Sequence, residues 1–146
     1  RFEVEKLQNK VLNDGVTLEK SYSYAWEVQA LKRIASVPEK CEDNNRHFPR
    51  LIWDEDAAVT FRTSYDGAPL WKNGQGVICL LSEAHVRRQA ACINDHLRRV
   101  NVTHCDMGIR HYALRNNETL VLFDFDSSAV DFPPPPPQLT PAQSCL

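Results

Sequence analysis

Two aspartates eighteen residues apart, Asp106 and Asp124, are the groups in this chain best suited to chemistry. They lie in the stretch His104 to Val130, HCDMGIRHYALRNNETLVLFDFDSSAV. His104 and Asp106 follow a helix-like segment, and a hydrophobic strand from Leu120 to Phe123 delivers Asp124. Between them the polar break Arg115-Asn116-Asn117-Glu118 reads as a hairpin tip, because Asn tolerates left-handed backbone and the flanks are apolar. Folding the two arms together is expected to bring both carboxylates to one end of the hairpin. Converging carboxylates suit divalent-metal and phosphate chemistry, since hard oxygen ligands hold Mg²⁺ and leave positions for phosphate oxygens.

The order H-x-D, hairpin, D-F-x resembles the catalytic core of protein-kinase-like phosphotransferases. The resemblance implies that Asp106 orients an acceptor hydroxyl, that Asp124 holds Mg²⁺, and that His104 braces the loop. His111 stands five residues after Asp106, where the family places an Asn that binds a second metal, so it falls on the cofactor side of the implied site. An imidazole is a poorer Mg²⁺ ligand than an amide oxygen. Asp126 replaces the glycine of D-F-G, and Cys105 replaces the arginine that commonly reads activation-loop phosphorylation. Arg110, four past Asp106, stands where tyrosine kinases carry an Arg. The implied activity is ATP-dependent transfer of the γ-phosphate to a hydroxyl acceptor, expected to be on a protein, in a divergent or fragmentary kinase. The alternative is a catalytically inactive pseudokinase or interaction module. ATP and Mg²⁺ are the implied cofactors. The implied fold is an α+β kinase-like core: a small antiparallel sheet with one helix, then a helix and the catalytic-loop hairpin, truncated at both ends.

Several elements must position these groups. A helix from Ser82 to about Val100 buries Val86, Ala90, Ile93, Leu97 and Val100, and Asn101 is suited to end it in a left-handed turn. That places Asp106 on a rigid base. Cys92 and His96, four apart on this helix, have the spacing of a metal pair, although no second pair matches them. A first helix is expected from about Tyr22 to Val37, capped by Ser21 or Ser23 and stopped by Pro38. Its inward positions are Tyr24, Glu27, Leu31 and Ile34, which puts a glutamate on an apolar face. A buried carboxylate needs a cationic partner. In the resembled family a strand lysine that grips nucleotide phosphates pairs with a helix glutamate. Lys6, at the end of an alternating strand over residues 1–11, is favoured for that role, with Lys10 as the alternative. Asn13-Asp14-Gly15 reads as a turn. Strands are expected over 48–53 and 57–63, followed by Ser64 to Leu70, SYDGAPL, as a hinge-like linker. Gly74-Gln75-Gly76 reads as a plain turn. The organisation is thus a kinase-like unit over 1–131 (1–63 resembling an N-lobe, 64–70 the linker, 71–131 a C-lobe core) and a proline-rich tail over 132–146.

Length and composition suit one globular unit, with 146 residues of which 42% are hydrophobic. A net charge of −2 without a basic run argues against nucleic acid, and no apolar run is long enough for a membrane helix. Partners are therefore expected to be a nucleotide and a protein substrate or binding protein. The chain opens on Arg1, which points to a fragment or a processed chain. Five cysteines without C-x-x-C spacing suggest free thiols and a cytoplasmic location. Pro133 to Pro137 must adopt polyproline II, suited to a linker or to an SH3- or WW-type partner.

Overall fold

The computed structural model describes residues 10–21, 26–41, 45–53, 60–72, 75–76 and 81–131. Asn13-Asp14-Gly15 is the tip of a hairpin joining β1 (Lys10–Val11) to β2 (Thr17–Ser21). The Asp14 carboxylate accepts hydrogen bonds from the Val16 and Thr17 N–H groups, both at 3.0 Å, and Gly15 takes φ 72°. This is the Asx geometry that turns a chain tightly. The turn predicted from sequence is therefore present, and β2 continues beyond it with Leu18 and Lys20 on one face. β4 (Thr60–Ser64) pairs antiparallel with β2 along its whole length, and β3 (Leu51–Trp53) lies on its other side. The sheet order is β1-β2-β4-β3.

Helix α1 (Trp26–Ala35) buries Glu27, Val28, Ala30, Leu31 and Ile34. Its described bounds are shorter than the predicted 22–37, and residues 22–25, with Ser23 and Tyr24, lie outside the described residues. Ser21 belongs to β2. After β4, the linker 64–70 is tied to the second half of the fold. Pro69 bridges Ala113, and the Leu70 N–H donates to the Tyr112 carbonyl at 2.8 Å. Strands β5 (Trp71–Lys72) and β6 (Gln75–Gly76) then form a short hairpin, so the predicted turn at Gly74-Gln75-Gly76 is partly strand.

Helix α2 (Glu83–Val100) begins at Ser82, whose hydroxyl accepts the His85 N–H, and ends at Asn101 with φ 56°. Both caps match the sequence expectation. Then follow β7 (Val102–Thr103), a single 3₁₀ turn (Ile109–His111), β8 (Tyr112–Arg115) and β9 (Thr119–Leu122). β10 (Ala129–Val130) pairs back on β7. Asn116 and Asn117 turn the β8–β9 hairpin at φ 54° and 61°, which two asparagines accept at low cost. The core joins both halves: Leu31 and Ile34 from α1, Ile93 and Leu97 from α2, and Leu120, Leu122 and Phe125 are all buried together around Phe48. Each such side chain contributes roughly 1.5–3 kcal/mol by leaving water. The architecture is α+β with antiparallel sheets. No helix among the described residues is long and apolar enough to cross a membrane.

The cysteine expectation is corrected. Cys41 and Cys92 form a disulfide across 51 residues, tying the segment after α1 to the middle of α2. Their distance in sequence hides the pairing, because connectivity depends on how the helices pack. Cys105 is a free thiol; Cys79 and Cys145 lie outside the described residues. The Cys92–His96 metal pair falls with the same bond, and the His96 Nε2 instead meets the Ile34 carbonyl at 2.9 Å.

Candidate functional site

Lys20, on β2, points under the sheet and is buried with Glu27 of α1. Its Nζ lies 2.5 Å from Glu27 Oε1 and 3.4 Å from Asp124 Oδ1. Glu27 uses its second oxygen to accept the Phe125 N–H at 3.2 Å. The cationic partner required by a buried Glu27 therefore exists, and it is Lys20. Lys6 lies outside the described residues, and exposed Lys10 faces Glu19 at 3.8 Å. Sequence reasoning missed Lys20 because it read Asn13-Asp14-Gly15 as a turn and assigned no strand to the residues between it and the first helix. The available signal was the alternation of Leu18 and Lys20 with Thr17 and Glu19 immediately after an Asp-Gly hairpin tip. Burial pushes the Lys20 ammonium down in pKa, yet Glu27 and Asp124 together outweigh it and hold it above its ordinary value.

The hairpin does bring Asp106 and Asp124 together, with His111 between them. Nδ1 of His111 lies 2.8 Å from the Asp106 carbonyl oxygen and 3.7 Å from its Oδ2, and Nε2 lies 3.0 Å from Asp124 Oδ2. A carbonyl and an ionised carboxylate only accept, so this geometry favours the imidazolium form, in which both ring nitrogens donate. Burial pushes His111 down, and the Asp124 hydrogen bond with the Asp106 carbonyl reverses this and raises it. His111 thus offers no lone pair to a cation.

Asp124 is drawn in opposite directions. Burial pushes its carboxyl up, but the His111 hydrogen bond and the charge of Lys20 hold it well below the ordinary carboxylate range. Asp126, the residue in the glycine position, is raised to about 6 by burial and by the Asp124 carboxylate. Asp106 is half exposed and its Oδ1 accepts from Arg110 at 2.7 Å. His104 sits beneath the loop: Nε2–H donates to the Phe123 carbonyl at 2.8 Å and Nδ1 accepts the Asp106 N–H at 3.2 Å. It braces the loop, with its pKa lowered to about 4 by burial.

Left-handed backbone occurs at both places, as it does at Asn101, Asn116, Asn117 and Asp131. Asp124 has φ 66°, and Cys105, which precedes Asp106, has φ 70°. Non-glycine residues held in left-handed backbone concentrate where function requires it. Beside Lys20 a cleft of about 140 Å³ runs under the sheet, walled by Leu18, Thr63, Tyr65, Gly67, Ala113 and Phe123. Its walls are mostly apolar, and its polar end carries Lys20, Glu27 and Asp124. That division suits a ligand with a flat apolar part and an anionic part.

Among the described residues no three His, Cys, Asp or Glu side chains gather as a metal-ligand set. No protein-family profile matches the chain, and no curated protein sequence matches it either.

Proposed function

We propose that this chain is a nucleotide-binding domain of the protein-kinase-like type, acting in ATP-dependent phosphoryl transfer to a hydroxyl acceptor. The observation that carries the reading is Lys20: one buried ammonium spans Glu27 of α1 and Asp124 after β9 at the polar end of an apolar cleft. A lysine–glutamate pair between strand and helix, beside a D-F-x aspartate, is the arrangement the resemblance in sequence implies, with Lys20 in the role. Leu18, Ala113 and Phe123 would enclose a base, and Lys20 would meet phosphate oxygens. Asp106, held out toward solvent by the loop that His104 braces, would orient the acceptor hydroxyl.

Mg²⁺ fits the residues present to a limited extent. It keeps several waters and needs only one or two carboxylates besides phosphate oxygens, and Asp124 with Asp126 supplies that number. Asp126 is raised first by burial and then by the Asp124 carboxylate, and a cation would relieve the second of these. When bound, the ion would neutralise charge on the transferring phosphoryl group. His111 fills the place of a second ligand without being one.

That last feature favours a second reading, a domain that binds nucleotide or partners without catalysis. Both Asp124 oxygens already face cations, so the aspartate is satisfied without metal. A thermal-shift titration with ATP, with and without Mg²⁺, separates the possibilities. Ligand at a hundredfold excess over Kd stabilises by about 2.7 kcal/mol. A Mg²⁺-dependent shift that Lys20→Met removes supports phosphoryl transfer. A Mg²⁺-independent shift supports the binding reading, and no shift at millimolar ATP from a cooperatively melting chain rejects both.

A further inference from the structure

The linker 64–70 walls the cleft, and three parts of the chain meet at one buried carboxylate within it. Asp66 Oδ1 accepts from Arg46 Nη2 at 2.9 Å, and Oδ2 accepts the Ser64 hydroxyl at 2.8 Å. Arg115, on β8, brings Nη1 to 3.5 Å from the same Oδ1; this nitrogen is buried and makes no hydrogen bond. Arg46 also donates to the Phe48 carbonyl at 2.6 Å, which anchors it to the segment before β3. One residue before Arg115, the Leu114 carbonyl stands 3.4 Å from where a Cβ on Gly67 would lie, and Gly67 has φ 111°. Only glycine lets the linker lie this close to β8.

We propose that Asp66 is a positioning residue: clasped by Arg46 on one side and Arg115 on the other, it sets the linker against β8 and so fixes the wall of the cleft that would receive a base. The proposal rests on the nucleotide reading above. An aspartate between two guanidinium groups is held by charge as well as shape, and neutralising it leaves two half-buried cations without their shared anion. The linker then loses its lock at the centre, and its remaining bonds, from the Tyr65 N–H to the Val16 carbonyl and from the Leu70 N–H to the Tyr112 carbonyl, open more often. The phosphate end, around Lys20 and Asp124, is built from other elements.

The test compares Asp66→Asn with the unaltered full chain, using adenosine and magnesium tripolyphosphate as separate probes. Adenosine affinity is expected to fall about tenfold or more, the scale of one charged hydrogen bond, while tripolyphosphate affinity stays within about twofold. Equal losses for both probes, or no loss for adenosine, overturn the positioning role. Should Asp66→Asn fail to fold, Arg46→Lys, which keeps the charge and loses the guanidinium that bonds Asp66 and the Phe48 carbonyl together, is read with the same probes and the same criteria. If the unaltered chain binds neither probe, the nucleotide reading fails, and hydrogen exchange judges the linker alone. Tyr65 and Leu70 amides should then exchange about tenfold faster in the variant while α2 amides are unchanged. Unaltered exchange at Tyr65 and Leu70 sinks the clasp itself.

Discussion

Lys20 and Glu27 come from a strand and a helix, and their charged groups meet at 2.5 Å with both side chains buried. Removing one partner leaves a buried charge, which costs about 3–5 kcal/mol, while replacing both with apolar groups costs far less. Lys20→Met is therefore expected to lower unfolding stability by that amount, and Lys20→Met combined with Glu27→Leu should recover part of it. Urea unfolding of the two singles and the double measures the coupling. Strict additivity would show that the pair is two independent side chains.

Acid should loosen the loop around Asp106 through His104. The folded state holds this ring neutral, with a pKa of about 4 against an ordinary value of 6.5. Its contribution is fully present above about pH 6.5 and is lost as pH falls from there toward 4, with a ceiling of about 3 kcal/mol. His104→Gln is expected to flatten that limb. Melting curves of both proteins between pH 7 and 4 provide the check, and parallel curves would remove His104 as the cause.

The Cys41–Cys92 bond closes a loop of 51 residues between the segment after α1 and α2. Chain entropy assigns such a loop roughly 4 kcal/mol, and native bonds commonly give 2–4. Cys41→Ser should lower stability by that range and make the melting temperature insensitive to reductant. An unaltered chain that melts identically with and without dithiothreitol would contradict the bond.

Asn101 ends α2 in left-handed backbone and donates its N–H to the Arg98 carbonyl at 3.2 Å. Asn101→Gly should leave stability within a few tenths of a kcal/mol, and Asn101→Ala should cost about 1–2 kcal/mol. Denaturant midpoints distinguish them.

The elements legible in the sequence were those written in local rules. The α2 stripe, its Ser82 and Asn101 caps, the Asn116-Asn117 tip and the buried face of α1 each follow from neighbours a turn or a residue away. The convergence of Asp106 and Asp124 was legible too, because one hairpin separates them. What was not legible depends on distant packing. Lys20 becomes special only when β2 lies over α1, and His111 only when both its nitrogens find acceptors on opposite sides of the loop. Asp66 passed as one residue of the hinge-like linker, since nothing near it in sequence announces Arg46 or Arg115.

One feature of α1 bears on how the molecule is made. Its partners are late in the chain: the Trp26 carbonyl accepts from Ser128, Glu27 from Phe125, and Arg33 grips Asp131, across 102, 98 and 98 residues. A ribosome adding 5–20 residues per second needs about 5–20 s to deliver them. Ten residues of helix have little stability alone, and during that interval Leu31 and Ile34 are covered only in part, by Phe48 and α2 but not by Leu120, Leu122 and Phe125. A nascent chain halted before residue 124 would carry Lys20 and Glu27 but lack the Phe125 amide and the Asp124 carboxylate that complete their group. Unfinished chains should therefore be chaperone clients and prone to degradation, and the chemistry of the site comes into being only as the last described strand closes.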